Sequence, residues 1–308
     1  MRAGSDLVHT EILVPGSIAN LGPGLDTLAV AVQLYLRLRV TSVDPSRSGV
    51  EFRFIGRRPE GDNNIERAFR YLSNGCDGPF VSVDVETEIP MKAGLGSSAA
   101  ATVAGLRLFE AVHGQRSKDE LLAAASKLEG HPDNAAAALL GGLAVCCHRS
   151  DGSVGAASCR WPDDWSFVVL TPELALETSK SRQALPASVP LSDAVANLQR
   201  VATLLAAVHS GDAAALAGLF EDRLHQPFRE PLVPGLREIT QLRHPQILGA
   251  FLSGSGPSIA VLTQGESKAA EQLLTAAYQP LGIAFQLRRL RVHASEGVPA
   301  AQTRILFV

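Results

Sequence analysis

Sulfur and aromatic residues are scarce in this chain: four cysteines, two methionines, two tryptophans and three tyrosines among 308 residues. Cys76, Cys146, Cys147 and Cys159 show no metal-ligand spacing, so none is assigned a metal. Adjacent Cys146 and Cys147 sit in an apolar run and read as small buried hydrophobes. A reducing, cytoplasmic setting is expected. A basic excess is missing as well. The net charge of −3 leaves no positive field to hold nucleic acid. No apolar run reaches the length of a membrane span. The nearest, Leu139 to Cys147, is interrupted by Gly141 and Gly142. Met1 to Thr10 lacks the apolar core of a signal peptide. No repeat and no low-complexity segment is visible.

What remains is a sequence that is 46% hydrophobic and 19% charged, the balance of a soluble globular protein with a sizeable core. Its length suits two domains or one large one. Strands are expected at Glu11 to Ser17, Ala29 to Thr41, Val50 to Ile55, Phe80 to Ile89, Gly142 to Cys147, Ser166 to Thr171, Ile259 to Leu262 and Phe285 to Val292. Helices are expected at Asn64 to Leu72, at Ala99 to Val112 closed by Gly114, and from the capping box Ser117-Lys-Asp-Glu120 to about Leu128. A long amphipathic helix capped by Ser192 should run to His209, and another should start near Ser267. Ser150 to Asp164, rich in Ser, Gly and Asp, reads as the boundary between domains at 1–160 and 161–308. The pattern favours α+β layers over a doubly wound sheet.

The most informative stretch is Pro90-Met91-Lys92-Ala93-Gly94-Leu95-Gly96-Ser97-Ser98-Ala99-Ala100. It is a glycine–serine turn entering a helix. A helix start offers unpaired N–H groups and the positive end of a dipole, and both attract phosphate. Gly94 and Gly96 let the backbone approach a ligand, and Ser97 and Ser98 add hydroxyls. The P-loop pattern is absent, because no lysine follows the last glycine.

Five further segments carry polar groups on constrained backbone. Val14 to Asp26 is a Gly/Pro-rich loop with Asn20 and Asp26, equally readable as ordinary turn chemistry. Glu129-Gly-His131-Pro-Asp133-Asn134 packs four polar groups into six residues; it is either a solvated turn or, with its carboxylate, a magnesium site. Thr178 to Arg182 and His225 to Arg229 each end in an arginine, a surface charge or a fork for a carboxylate. Gly249 to Ser258 is a second glycine–serine loop, and two such loops on either side of a boundary suggest a phosphate-bearing ligand in the cleft.

Together these segments resemble the GHMP kinase superfamily (galactokinase, homoserine kinase, mevalonate kinase, phosphomevalonate kinase). Pro90 to Ala100 and Leu252 to Ser258 are similar to its two glycine-rich motifs, and Val14 to Leu28, Glu129 to Gly142, Thr178 to Pro186 and His225 to Gly235 to segments of the homoserine kinase family. The resemblance implies a two-domain fold, ribosomal S5-like then ferredoxin-like, the first half binding the nucleotide phosphates. It implies ATP-dependent phosphorylation of the L-homoserine hydroxyl on the threonine pathway, with magnesium and as a homodimer. Ser98 and Glu129 would organise Mg²⁺. Asn64 and its neighbours would approach the adenine. Asn20, Asp26, His131, Asn134, Arg182 and Arg229 would surround homoserine, with both arginines on its carboxylate and Asp26 on its ammonium. Thr178 would lie near the transferred phosphoryl.

Phosphoryl transfer asks for in-line placement and charge neutralisation more than covalent help. Lys92 and the N–H groups of the glycine loop are expected to neutralise. Asp133 is the nearest candidate base, whereas Asn134 can only orient the hydroxyl; positioning is favoured over general-base catalysis. Two alternatives stay open. One is another small-molecule kinase on this fold, acting on a mevalonate-, shikimate- or sugar-type alcohol. The other is a non-catalytic nucleotide-binding regulator.

Overall fold

The computed structural model describes residues 7–56, 61–73, 78–174, 176–294 and the backbone of 304–306; Cys76 lies outside them. Chain order begins with a long antiparallel pair, β1 (Glu11–Ala19) and β2 (Leu28–Asp44), with a register shift at Pro15/Gly16. In the outer half of β2, Leu34, Leu36, Leu38 and Val40 point into the core while Gln33 and Arg39 face water, the period of a half-covered strand. The inner half, Leu28 to Val32, is buried throughout. β3 (Gly49–Phe54), β4 (Phe80–Thr87), β5 (Leu143–His148), β6 (Val154–Cys159) and β11 (Arg304–Leu306) complete a sheet of order β11-β6-β5-β2-β4-β3, with β1 also on β2. Its helices are α1 (Asn64–Leu72), α2 (Ser97–His113), α3 (Lys118–Glu129) and α4 (Asp133–Leu140). α2 and α4 pack on β1 and β2, which fixes the starts of both helices relative to the β1–β2 loop.

The second sheet, β10-β7-β9-β8, is antiparallel throughout: β7 (Trp165–Pro172), β8 (Ile247–Leu252), β9 (Ile259–Gln264) and β10 (Phe285–Leu290). Between β7 and β8 come α5 (Thr178–Gln183), α6 (Leu191–Ser210), α7 (Gln226–Arg229) and α8 (Leu236–Thr240); α9 (Lys268–Tyr278) links β9 to β10. Helical crossovers at these two places and this strand order give the expected ferredoxin-like arrangement. β7 is buried on both faces. Phe167 and Val169 join the main core with Phe251, Leu28 and Phe109, while Val168 and Leu170 join a second cluster with Leu252 and Tyr278. One apolar interior therefore runs between the two sheets and holds the cleft at a fixed width.

Several expectations at the level of elements need correction. Ser150 to Asp164 contains β6, whose Val-Gly-Ala-Ala-Ser-Cys sequence lacks the bulky residues that mark a strand. Gly249 lies within β8, so the second glycine loop is confined to the Ser253–Ser258 connection; a Cβ at Gly249 would overlap the Phe220 ring. α6 starts at Leu191 after Pro190, whose φ of −57° presets the entry, and Ser192 does not cap it. α2 starts at Ser97, two residues early. Among the described residues no helix is long and apolar enough to cross a membrane.

Candidate active site

The two glycine–serine loops meet each other. Ser253 Oγ donates to Gly94 O at 2.6 Å, and Ser258 N donates to Ala93 O at 3.2 Å. Gly94 has a φ of 75°, and a Cβ there would overlap Ser253 O and lie 2.8 Å from Gly256 O. Only glycine allows both the left-handed turn and the close approach. Gly96, also left-handed, is the N-cap of α2 and offers no side chain, and no acidic residue sits in the first turn. The first N–H groups of this helix are thus left for an external acceptor.

A cavity of about 370 Å³ opens in front of them, within the range of small-molecule sites. Lys92, Ala93, Gly94, Gly96, Ser97, Ser98 and Ala99 line one side. Asn20, Asp26, His131, Asp133, Asn134, Thr178, Arg182 and Arg229 line the rest, together with Asn64 and Glu129. The fold therefore brings segments far apart in sequence to one space. Four residues of the Pro90 to Ala100 stretch stand back from it. Leu95 and Ala100 are core residues, and Pro90 and Met91 are half-buried on the approach. Lys92 Nζ reaches Glu177 Oε1 at 3.5 Å.

Glu129 ends α3. Its Oε1 accepts from Thr102 Oγ1 at 2.6 Å and lies 3.7 Å from Arg67 Nη2; Oε2 takes no hydrogen bond among the described residues. Thr102 follows Ser98 by one helical turn on α2, so hydroxyl and carboxylate share a face. Asn64 Nδ2 donates to Ser98 Oγ at 3.0 Å. This ties Asn64 to the start of α2, in the same cavity as the glycine–serine loop. Asn64 opens α1, and α1 packs against α2.

On the opposite wall the expected substrate residues are already bonded to one another. Arg182 Nη1 and Nη2 donate to Asp26 Oδ2 and Oδ1, both at 2.9 Å. Burial alone would raise the Asp26 pKa, but the Arg182 guanidinium outweighs burial and holds it below the ordinary aspartate value. Asn20, buried with φ of 70°, accepts from Asp26 N at 3.2 Å and donates to Gly254 O at 3.0 Å. Its amide is engaged at both ends, so it braces the two loops. Asp133 is 1% exposed, and its Oδ1 faces His131 Nδ1 at 2.7 Å, Asn134 N at 2.8 Å and Asn134 Nδ2 at 3.3 Å. Burial alone would depress the His131 pKa; the Asp133 bond and the charges of Asp133 and Asp26 outweigh it and hold the imidazole above its usual value. Asn134 Oδ1 accepts from Ser17 Oγ at 2.7 Å. Thr178 Oγ1 lies 3.3 Å from Ser255 Oγ.

Arg229 is 2% exposed and has no carboxylate partner among the described residues. Nε donates to Ser181 O at 3.3 Å, and Nη1 to Gly254 O at 3.2 Å and to His225 Nδ1 at 3.1 Å. Nη2 is left over, on a residue that lines the cavity. Burial, and then the nearby Arg182 charge, lower its pKa. Thr102, Arg67 and Ser17 were not singled out by sequence. The Ser98–Thr102 spacing was the one signal available, since i and i+4 share a helix face.

This architecture is that of a GHMP kinase. Residues 63–142 match the GHMP kinases N terminal domain, and residues 204–279 match the GHMP kinases C terminal family. The chain is 36% identical over 302 residues to the homoserine kinase of Solibacter usitatus, covering 96% of this chain and 95% of that protein. It is 38% identical over 284 residues to that of Moorella thermoacetica, covering 91% and 96%. The crystal structure of homoserine kinase from Cytophaga hutchinsonii superposes with a TM-score of 0.81 at 25% identity, over 99% of this chain and all of that one. The chain belongs to the homoserine kinase family. L. major mevalonate kinase, at 17% identity and a TM-score of 0.65, shares the fold alone.

Proposed function

We propose that this protein transfers the γ-phosphoryl group of ATP to the hydroxyl of L-homoserine, giving O-phospho-L-homoserine. One observation carries the substrate class: Arg229, a buried cation with no carboxylate partner among the described residues, lines the cavity with Nη2 unused. A buried charge calls for a counter-charge, and a guanidinium fork matches a carboxylate. Asp26 supplies the opposite sign for an ammonium, and Arg182 a second donor to the carboxylate. The uncapped start of α2 faces the same cavity and takes the phosphates. The first 160 residues then hold the nucleotide phosphates, and the substrate lies between them and the second sheet. A cytoplasmic setting gives access to ATP.

Magnesium fits Glu129 and Ser98. Both are hard oxygen donors, Thr102 orients the carboxylate, and its second oxygen takes no partner among the described residues. Asp26, His131 and Asp133 also lie together, with one ligand atom from each within 4.8 Å. There, however, Asp26 is held by Arg182 and Asp133 by three donors, and imidazole is a poorer partner for this ion. Bound magnesium would neutralise phosphate charge. The chain's own residues bind and orient: the α2 amides the phosphates, Arg229 and Asp26 the amino acid, and His131 and Asn134 the space between.

A coupled assay following ADP release tests this reading. Release should depend on L-homoserine and stay at background with mevalonate or shikimate. Equal turnover of mevalonate, or no turnover of L-homoserine by folded protein that binds ATP, would reject it.

A further inference from the structure

Arg229 can grip a carboxylate only if its guanidinium is aimed, and what aims it lies outside the cavity lining; the inference rests on the carboxylate-binding reading above. Arg229 and His225 sit one turn apart: His225 is the N-cap of α7, a helix of four residues, and Arg229 is its last residue. So short a helix does not stabilise itself. Asp222 holds it from outside. Its buried carboxylate accepts from the backbone N–H groups of Leu224 at 3.0 Å, His225 at 2.8 Å and Gln226 at 2.5 Å, and from Asn197 Nδ2 at 2.6 Å. Gln226 Oε1 in turn accepts from Leu252 N at 2.7 Å, which pins the turn to the end of β8.

His225 is fully buried. Its Nε2 lies 2.7 Å from Gly22 O, and its Nδ1 lies 3.1 Å from Arg229 Nη1. A carbonyl only accepts and a guanidinium only donates, so Nε2 carries the proton and Nδ1 presents its lone pair. Two parts of the site are joined through one neutral ring. One is the cation left open at the cavity; the other is the loop from Gly22 to Asp26 that carries the ammonium partner.

We propose that His225 is a positioning residue: its Nδ1 lone pair aims the Arg229 guanidinium at the substrate carboxylate, while its Nε2–H holds the loop bearing Asp26 at a fixed distance. The imidazole thereby sets the spacing between the two groups that grip the two charges of the amino acid. Asp222 is one step further out and fixes the backbone from which both side chains project.

Two substitutions separate the nitrogens. His225→Asn keeps an acceptor near the place of Nδ1, and His225→Gln keeps a donor near the place of Nε2. Steady-state kinetics of both, with Arg229→Lys as reference, should show KM for L-homoserine raised about 10- to 100-fold in H225Q, with KM for ATP within about 2-fold. H225N should recover at least about 5-fold of that loss. Equal KM in H225N and H225Q, or parallel rises for ATP and homoserine, would overturn the positioning role. If R229K raises KM but H225Q does not, the positioning proposal alone fails; if R229K leaves KM unchanged, the carboxylate reading fails first. A measurement on the unsubstituted protein covers the case of misfolded variants. Nitrogen NMR of labelled histidine should show His225 neutral with the proton on Nε2 across about pH 6 to 8. A proton on Nδ1, or a charged ring, would refute the assignment.

Discussion

Asp26 and Arg182, 156 residues apart, close on each other through two hydrogen bonds of 2.9 Å inside the cavity. An incoming amino acid carries the same two charges and can replace both halves of the pair. A hydroxy acid without the amino group can satisfy Arg182 but strands Asp26. Asp26→Asn should therefore lower kcat/KM for L-homoserine about 10- to 100-fold, the worth of a charged hydrogen bond. The same substitution should change 4-hydroxybutyrate turnover by less than about 3-fold. Parallel kinetics on the two substrates check this, and equal losses would show that Asp26 does not read the ammonium.

The same pair makes stability depend on acid. Because Arg182 holds the Asp26 pKa below its ordinary 3.8, the folded state gains from this group above that pH, and the gain disappears as pH falls through the lowered folded value. Both side chains are more than a third exposed, so the gain is held to about 1 kcal/mol or less. Melting temperatures of the protein and of Asp26→Asn should differ at neutral pH and converge below pH 3.8. Asparagine suits the φ of 53° at this position, so backbone strain does not enter the comparison. A gap that persists in acid would mean that the ion pair is not its source.

Gly94→Ala should lower stability by about 2–3 kcal/mol, since the new Cβ meets the Ser253 and Gly256 carbonyls in a left-handed turn. Gly152 is the comparator, with a φ of 83° and nothing within 4 Å of the methyl group that alanine would add. Urea unfolding should show the smaller loss for Gly152→Ala, and ATP affinity should fall only for Gly94→Ala. Equal losses would reduce the effect to backbone strain.

The glycine–serine turn that opens α2 was legible because its cue is local. Gly94, Gly96 and the serines are contiguous, and each acts through its own backbone or hydroxyl. The cleft around it was legible as a set of polar segments but not as contacts. Nothing in the spacing of Asp26 and Arg182 says that they bind each other, because that depends on how α5 crosses the β1–β2 loop. Asn20, expected beside the substrate, lines the cavity and also braces two loops, a bond that depends on Gly254 O in the connection between β8 and β9. β6 stayed hidden because small residues carry little strand preference, and its place is set by pairing with β5. Thr102 was buried in an alanine-rich run that reads as pure core.

Thr102 also makes a test of the metal site. Thr102→Val removes the bond to Glu129 Oε1 at nearly constant shape. The magnesium concentration for half-maximal activity should rise about 3- to 10-fold, and Glu129→Gln should raise it further. Magnesium titration at saturating ATP checks both. An unchanged requirement in Glu129→Gln would move the ion elsewhere in the cavity.

Asp133 decides between a base and a brace. A general base needs a lone pair directed at the substrate hydroxyl. Here one carboxylate oxygen is already engaged by His131, Asn134 N and Asn134 Nδ2, on a residue 1% exposed. The charge serves to hold His131 and Asn134, which line the cavity. A loose transition state needs little early proton removal, so Asp133→Asn should retain substantial turnover, with kcat falling by about 10- to 100-fold. KM for L-homoserine should rise together with that fall, because the cavity wall loosens. The kcat of the variant against pH should keep the shape seen in the parent protein. A fall of about 10⁴ or more with unchanged KM, and loss of the acidic limb of the profile, would instead identify Asp133 as the proton acceptor.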